Sequence, residues 1–428
     1  MAEKNNVKVK FLGGARRIGC SAILLQANEK NILLDYGATP GTHLDFPLPV
    51  PSKEIDAIIL THAHIDHSGA IPLLYTVANP PLITTPATLD LAELLIYDMM
   101  NVARDPLPFG RREVKRMKKN SILLNYKEEY KLGKNIKITL FNAGHIPGSS
   151  SVLLEINGVK IWYSGDINTI STRLLEPANM DLEDVDIVFI ESTYALKEHP
   201  PREDQEKAFI KALKETIEDQ GVALVPAFSV GRSQEVLCIL EHYDFKGRIF
   251  LDGMARRASK ILLEHPTFIK DYDLFTKALK RARWIEDNRD RFKAISEPGV
   301  IVTPAGMLVG GSAQWYLKYI YKDENCGLFY VSYQVPGTPG RRILETGKVR
   351  IGRKEKKMRA RVGYFELSSH SGRTQLFELI EKFDSDTVFF TVHGEEESTI
   401  KFAEEIRDRY GYTAFSPSVG ETFFQIPF

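Results

Sequence analysis

Short apolar runs bounded by Gly, Pro, Asn or charged residues mark the opening of the chain: Val7 to Leu12, Ala22 to Gln26, Asn31 to Leu34 and Asp56 to Leu60. Runs of that length and bounding predict strands, so the chain begins as sheet. The period then changes. Ala70 to Val77 and Thr88 to Arg104 predict helices, the second carrying Leu91, Leu94, Leu95 and Tyr97 to Met99 near the 3.6-residue repeat and ending at Asp105-Pro106-Leu107-Pro108. Ile136 to Phe141, Ser151 to Ile156 and Lys160 to Ser164 predict three further strands, the latter two joined by Asn157-Gly158, a hairpin signal. Ile187 to Ile190 predicts a fourth, running into Glu191. After Pro200-Pro201 a charged amphipathic helix, Glu203 to Asp219, opens a stretch where strands and helices alternate to about residue 360, the pattern of a separate α/β unit. Strands return at Val362 to Leu367 and Val388 to Val392, with helices from Gly372 to Phe383 and from Ser398 to Tyr410.

A length of 428 residues exceeds the usual size of one hydrophobic core, which fits two domains or one domain with a large insertion. With 43% hydrophobic and 26% charged residues, the chain is of ordinary globular type rather than disordered. Met1 to Lys10 lacks the apolar stretch of a signal peptide, and no run reaches the ~18 apolar residues of a membrane span, so a cytoplasmic protein without a membrane partner is expected. Cys20, Cys238 and Cys326 are too few and too dispersed for a disulfide framework or a cysteine zinc cluster; any metal must be held by histidine and carboxylate. Basic and acidic residues balance at 56 each, so contact with nucleic acid would have to be local. The candidate clusters are Arg111, Arg112, Lys115, Arg116, Lys118 and Lys119, then Arg341 and Arg342, then Arg350 to Arg361, each of which reads equally as a solvated face.

The chemistry concentrates in Thr61-His62-Ala63-His64-Ile65-Asp66-His67-Ser68-Gly69, directly after the apolar run Ile58 to Leu60. Four metal-binding side chains fall within six residues. At a strand end the backbone can turn, so a His-x-His pair can converge on one ion while Asp-His faces a second. Imidazole nitrogen and carboxylate oxygen are ligands that suit zinc. Asp35, His145, Asp166 and His393 also stand at or just past strand ends, where such a site needs them, although Asp35 and Asp166 also read as turn residues beside Gly37 and Gly165, and His145 as a loop residue before Pro147-Gly148.

Taken in order from Asp35 to His393, these motifs resemble those of the metallo-β-lactamase superfamily, a resemblance that covers nearly the whole chain. It implies an α/β fold, an αββα sandwich, and two zinc ions: His62, His64 and His145 on one, Asp66, His67 and His393 on the other, Asp166 bridging them, and Asp35 orienting ligands. Glu191 in Ile190-Glu191-Ser192-Thr193-Tyr194, His370 in Ser368-Ser369-His370-Ser371 and His393 in Val392-His393-Gly394-Glu395 look like motifs A, B and C of the β-CASP subfamily of nucleic-acid-processing nucleases. The domain order expected is 1–197 and 362–428 for the sandwich, with 198–361 as an inserted α/β β-CASP domain.

Histidine at motif C resembles the RNA-processing branch. Glutamate at motif A resembles the cleavage-factor pattern, where RNase J enzymes usually carry aspartate. Pro226 to Glu235 and Thr303 to Leu308 resemble segments of the nuclease subunit of the eukaryotic pre-mRNA cleavage factor. The chain is therefore similar to compact archaeal cleavage-factor-like nucleases without the N-terminal RNA-binding extension, since the first strand begins within ten residues of Met1. The resemblance implies a ribonuclease acting on single-stranded RNA in 3′-end processing or decay, homodimers being common among relatives. His370, held by Glu191, would be the general acid, and Asp66 could take the proton of the attacking water. Ser229, Gly231, Arg232 and Ser312 are candidates for substrate contact, because Gly231-Arg232-Ser233 and Gly310-Gly311-Ser312 open helices whose N–H groups could meet a phosphate; ordinary helix starts explain them equally. The rival readings are a non-catalytic RNA-binding scaffold, an RNase J-like 5′-to-3′ exoribonuclease and a small-molecule hydrolase of the same superfamily.

Overall fold

A computed structural model describes residues 7–39 and 43–424, so residues 1–6 of the polar start lie outside the described residues. The chain forms two compact units: one of 1–171, 176–198 and 370–428, the other of 172–175 and 199–369.

The first unit is built on two seven-stranded sheets. In one, Ala22–Ala27 lies between Lys8–Gly13 and Lys30–Leu34, antiparallel to both, and Ala57–Ile59 continues the sheet in parallel. In the other, Ile136–Asn142, Ser150–Ile156 and Val159–Tyr163 form a meander, which Ile187–Glu191 and Val388–Val392 extend in parallel. Alternation along each strand explains the packing. Phe11, Leu25, Leu34 and Ile59 of the first sheet share a core with Leu140, Leu154, Ile161, Phe189 and Phe390 of the second. The residues between them point the other way: Trp162, Val188, Ile190 and Phe389 pack on Leu376, Phe377, Phe402 and Ile406 of helices Arg373–Ile380 and Glu396–Tyr410. Because both faces are covered, these strands read as continuous apolar runs rather than half-buried alternations. The αββα sandwich is thus the observed arrangement, and Asn157 and Gly158 take φ of 51° and 86° in the hairpin between two of its strands.

The second unit has a six-stranded sheet whose pairings are all parallel, in the order Arg283–Trp284, Ile249–Leu251, Gly299–Thr303, Val222–Pro226, Gly327–Tyr330, Arg361–Tyr364. Its last strand covers the start of the run expected to return to the sandwich at Val362. Instead Leu328 pairs with Val362 and Tyr330 with Tyr364, so this unit runs on to Ser369, past residue 361. Pairing partners are chosen in three dimensions, and an alternating run does not encode which sheet it joins.

The two helices expected early in the chain differ from their expected extents, and the later one expected over Gly372 to Phe383 is Arg373–Ile380. Thr85 Oγ1 accepts from Thr88 N and Pro86 opens the helix, so the long helix is Pro86–Val102 rather than Thr88 to Arg104. The helix expected over Ala70 to Val77 is only Ile71–Leu74, closing in tight turns in which Tyr75 N and Thr76 N donate to Pro72 O and Leu73 O. Among the described residues no helix is long and apolar enough to cross a membrane.

Candidate metal centre

The chemistry-bearing residues gather where parallel strands end. Asp35 follows Lys30–Leu34, the His62–His67 string follows Ala57–Ile59, Asp166 follows Val159–Tyr163, Glu191 closes Ile187–Glu191 and His393 follows Val388–Val392. Carboxyl ends of parallel strands are where α/β sheets leave a crevice. Asp35 and His393 adopt φ of 54° and 46°, a sparsely populated conformation for non-glycine residues that is tolerated where the surroundings impose it.

Three groups of potential ligand atoms result, with each group's atoms within 4.8 Å of one another: His62, His64, His145 and Asp166; Asp66, His67 and His393; and Asp166, Glu191 and His370. Asp166 faces the first two from its two oxygens. Its Oδ2 lies 3.4 Å from His62 Nε2 and 3.5 Å from His145 Nε2, while Oδ1 lies 3.3 Å from His67 Nε2 and 3.5 Å from His393 Nε2. His393 Nε2 is also 3.8 Å from Asp66 Oδ2.

Further residues aim these ligands. Asp35, fully buried, accepts from His67 Nδ1 at 2.7 Å, Thr61 N and Oγ1 at 2.8 Å and the Tyr163 hydroxyl at 2.9 Å, so the His67 ring is held with Nε2 toward Asp166. Ser21 Oγ does the same for His393, 2.8 Å from its Nδ1. On the opposite side His370 Nδ1 lies 2.9 and 3.0 Å from the two oxygens of Glu191, whose Oε1 also accepts from Ile167 N at 2.7 Å. The His370 ring packs 4.5 Å from that of His145.

The electrostatics divide the histidines. Burial pulls His62, His64 and His145 down, His64 to about 3, so their imidazoles stay neutral with nitrogen lone pairs available. Burial also acts on His67, but the Asp166 and Asp35 carboxylates outweigh it and hold that ring well above its usual value. For Asp166 burial alone would favour the neutral acid; the imidazoles of His393, His67 and His62 keep it well below the carboxylate range. His370 is desolvated too, yet the Glu191 carboxylate pushes it up to about 9.

The donor set fits metal ions. His62 Nε2 and Asp166 Oδ1 are buried without a hydrogen-bond partner, an arrangement costing about 1–3 kcal/mol per group that a cation would remove. The first unit therefore brings together all seven expected ligands, with Asp35, Glu191 and His370 beside them. Ser229, Gly231, Arg232 and Ser312 belong to the second unit. Gly231, at φ 79°, precedes helix Arg232–His242; Arg232 is buried and donates through Nη2 to Ser369 Oγ at 2.9 Å; Ser312 lies in the first turn of Gly311–Ile320, its Oγ against Thr303 Oγ1.

Sequence reasoning gave no role to Ser21, Thr61 and Tyr163. Tyr163 carried a signal: it shares the inward face of its strand with Ile161, and a buried phenol needs an acceptor. Gly37 was also functionally silent. A Cβ there would lie 1.7 Å from Asp66 O and 2.0 Å from its carbonyl carbon. Gly37→Ala is expected to displace the Asp66–His67 turn and to lower stability by about 1–3 kcal/mol, read from the urea midpoint. An unchanged midpoint would show that the turn yields freely.

Comparison with known proteins agrees with this geometry. Residues 15–202 match the metallo-beta-lactamase superfamily, residues 233–343 the Beta-Casp domain and residues 355–417 the Zn-dependent metallo-hydrolase RNA specificity domain. A probable RNase MJ4 of Methanocaldococcus jannaschii is 37% identical, the match covering 97% of this chain and 99% of that one. An RNase aCSPSF2 of Saccharolobus solfataricus is 35% identical over 97% of this chain and 85% of its own. A crystal structure of a protein of unknown function from Enterococcus faecalis V583 superposes with a TM-score of 0.65 over 98% of this chain and 100% of that one, at 16% identity, a likeness of fold.

Proposed function

Because the chain belongs to the metallo-beta-lactamase superfamily, in its Beta-Casp ribonuclease branch, we propose that it hydrolyses phosphodiester bonds of single-stranded RNA with two zinc ions. The observation that carries the two-ion reading is Asp166, whose two oxygens face two separate histidine groups. His62, His64 and His145 would hold one ion, Asp66, His67 and His393 the other, with Asp166 between them. Bound there, the ions would bring the pKa of a water toward neutrality and offset charge at the scissile phosphate.

The chain's own residues do the rest. Asp35 and Ser21 fix the ring planes of His67 and His393 through the nitrogens that face away from the site. Glu191 orients the His370 ring through Nδ1, which assigns to Nε2 the proton for the departing ribose oxygen. Asp66, 18% exposed, is the ligand best placed to take a proton from the attacking water. No serine or cysteine nucleophile is involved, so no covalent intermediate is expected.

Ser21→Ala removes one oxygen from the far side of His393 and should weaken metal retention about tenfold in competition with a chelator, with the fold unchanged by circular dichroism. Equal retention would reduce Ser21 to packing.

The deciding experiment incubates metal-analysed protein with 5′- or 3′-labelled single-stranded RNA carrying a 5′ monophosphate or triphosphate. Internal fragments indifferent to the 5′ end would establish an endonuclease. Mononucleotides released from the 5′ end, fastest with monophosphate, would establish a 5′-to-3′ exonuclease. Tight RNA binding without cleavage in metal-loaded protein would overturn the enzymatic reading in favour of a scaffold.

A further inference from the structure

Helix Arg111–Lys119, with the sequence RREVKRMKK, lies in the first unit and contributes no side chain to the metal centre. Its apolar residues, Val114 and Met117, are buried beneath it. Of its six cations, three are engaged in holding it in place. Arg116 donates to Asn79 Oδ1 and to the carbonyls of Thr76 and Ala78, Lys118 pairs with Asp90 at 2.9 Å and Glu93 at 2.6 Å, and Arg111 lies over the Tyr97 ring at 5.1 Å.

The other three, Arg112, Lys115 and Lys119, are exposed and have no hydrogen-bond or ion-pair partner among the described residues. At ~100° and ~1.5 Å per residue they fall within an arc of about 60° and span about 10 Å along the axis.

Local stability does not account for this stripe. A cation in the last turn complements the helix dipole, which suits Lys119, but Arg112 stands in the first turn, where positive charge opposes it. A local rule broken without a compensating contact points to a role outside the fold. The chemistry of that role is narrow. With Val114 and Met117 buried, these helix positions offer no apolar anchor of the kind a membrane-surface helix or a protein hot spot uses, leaving point charges on a pinned scaffold.

We propose that helix Arg111–Lys119 is a track for the RNA backbone outside the metal centre, with Arg112, Lys115 and Lys119 as its phosphate contacts. This rests on the ribonuclease reading and extends it to substrate beyond the scissile bond. Such a surface would favour long RNA over short and would confer salt sensitivity on an otherwise charge-balanced protein.

The test uses the full-length, metal-loaded protein and three forms: parent, Arg112→Gln/Lys115→Gln/Lys119→Gln, and a control with the same charge change at exposed lysines elsewhere, Lys211→Gln/Lys277→Gln/Lys401→Gln. Binding of single-stranded RNA of graded length is measured across a salt series, with hydrolysis followed in parallel. In the helix variant the slope of log K against log salt should fall by about 2, equivalent to about 100-fold in affinity at about 0.1 M salt referred to about 1 M. Hydrolysis of the shortest cleavable RNA should be unchanged, and the control should keep the parent's slope. Equal slopes in parent and helix variant, with the parent active, would overturn the track and leave the ribonuclease reading standing. A control that loses as much as the helix variant would reduce the effect to net charge and overturn it as well. Reduced binding to anionic vesicles with RNA binding intact would reassign the surface to lipid. A parent that neither binds nor cleaves RNA of any length would remove both readings together.

Discussion

Ribonuclease activity is expected to fall to background in the Asp66→Ala/His67→Ala double variant, while the fold and much of the RNA affinity remain. The turn carrying these residues is held by main-chain contacts that the substitution leaves alone: Ser21 N donates to Asp66 O at 2.8 Å, Tyr36 N to His67 O at 2.9 Å and Ala38 N to Ile65 O at 2.8 Å. Asp35 loses His67 but keeps Thr61 N, Thr61 Oγ1 and Tyr163 as donors, so no buried carboxylate is stranded. The cost should therefore concentrate in metal binding and in rate. Metal analysis, circular dichroism and hydrolysis of labelled RNA on one preparation separate the three quantities. Hydrolysis surviving in the double variant after treatment with a chelator would refute a metal-dependent reaction at this site.

His370→Ala is expected to slow hydrolysis by about 100-fold or more while retaining metal. His370 stands beside the cluster rather than at its centre: Nδ1 is occupied by Glu191, and its ring packs on His145. Loss of a proton donor should appear in the rate at saturating RNA with little change in apparent affinity. Loss of metal in the same variant would move His370 among the ligands, an arrangement that its proximity to Asp166 and Glu191 makes testable. Glu191→Gln is the useful companion, since it preserves the shape of the contact while withdrawing the charge that raises His370.

Most of the candidate metal centre was legible because so many potential ligands recur together at strand ends, although Asp35, Asp166 and His145 taken singly also read as turn or loop residues. His62, His64, Asp66 and His67 form a dense string, and His145, Asp166 and His393 each follow an apolar run. What escaped was pairing between distant segments. Ser21 and His393 stand at opposite ends of the chain yet share a hydrogen bond, and nothing in the neighbourhood of either residue announces the other. The strand Arg361–Tyr364 shows the same gap for the fold, since its composition suits either sheet and only its partner, Gly327–Tyr330, assigns it. The shortened helix at Ile71–Leu74 has a local cause, turns closed by Pro72 and Leu73 carbonyls that periodicity does not describe.

The parallel pairing of Ile187–Glu191 with Val388–Val392 has a consequence for biosynthesis. About 200 residues separate the two strands, which at ~5–20 residues per second of translation is roughly 10–40 s. Throughout that interval Ile187–Glu191 is a fully buried-type strand, every residue apolar but the last, standing on the ribosome as an open edge beside Val159–Tyr163. An apolar edge of that kind invites pairing with the wrong chain. The nascent protein thus carries an uncovered apolar strand edge while the second unit is being made. The strand that covers this edge is also the one that leads into His393, so the last of the seven candidate ligands arrives with it, before Thr413–Phe415 adds the final strand.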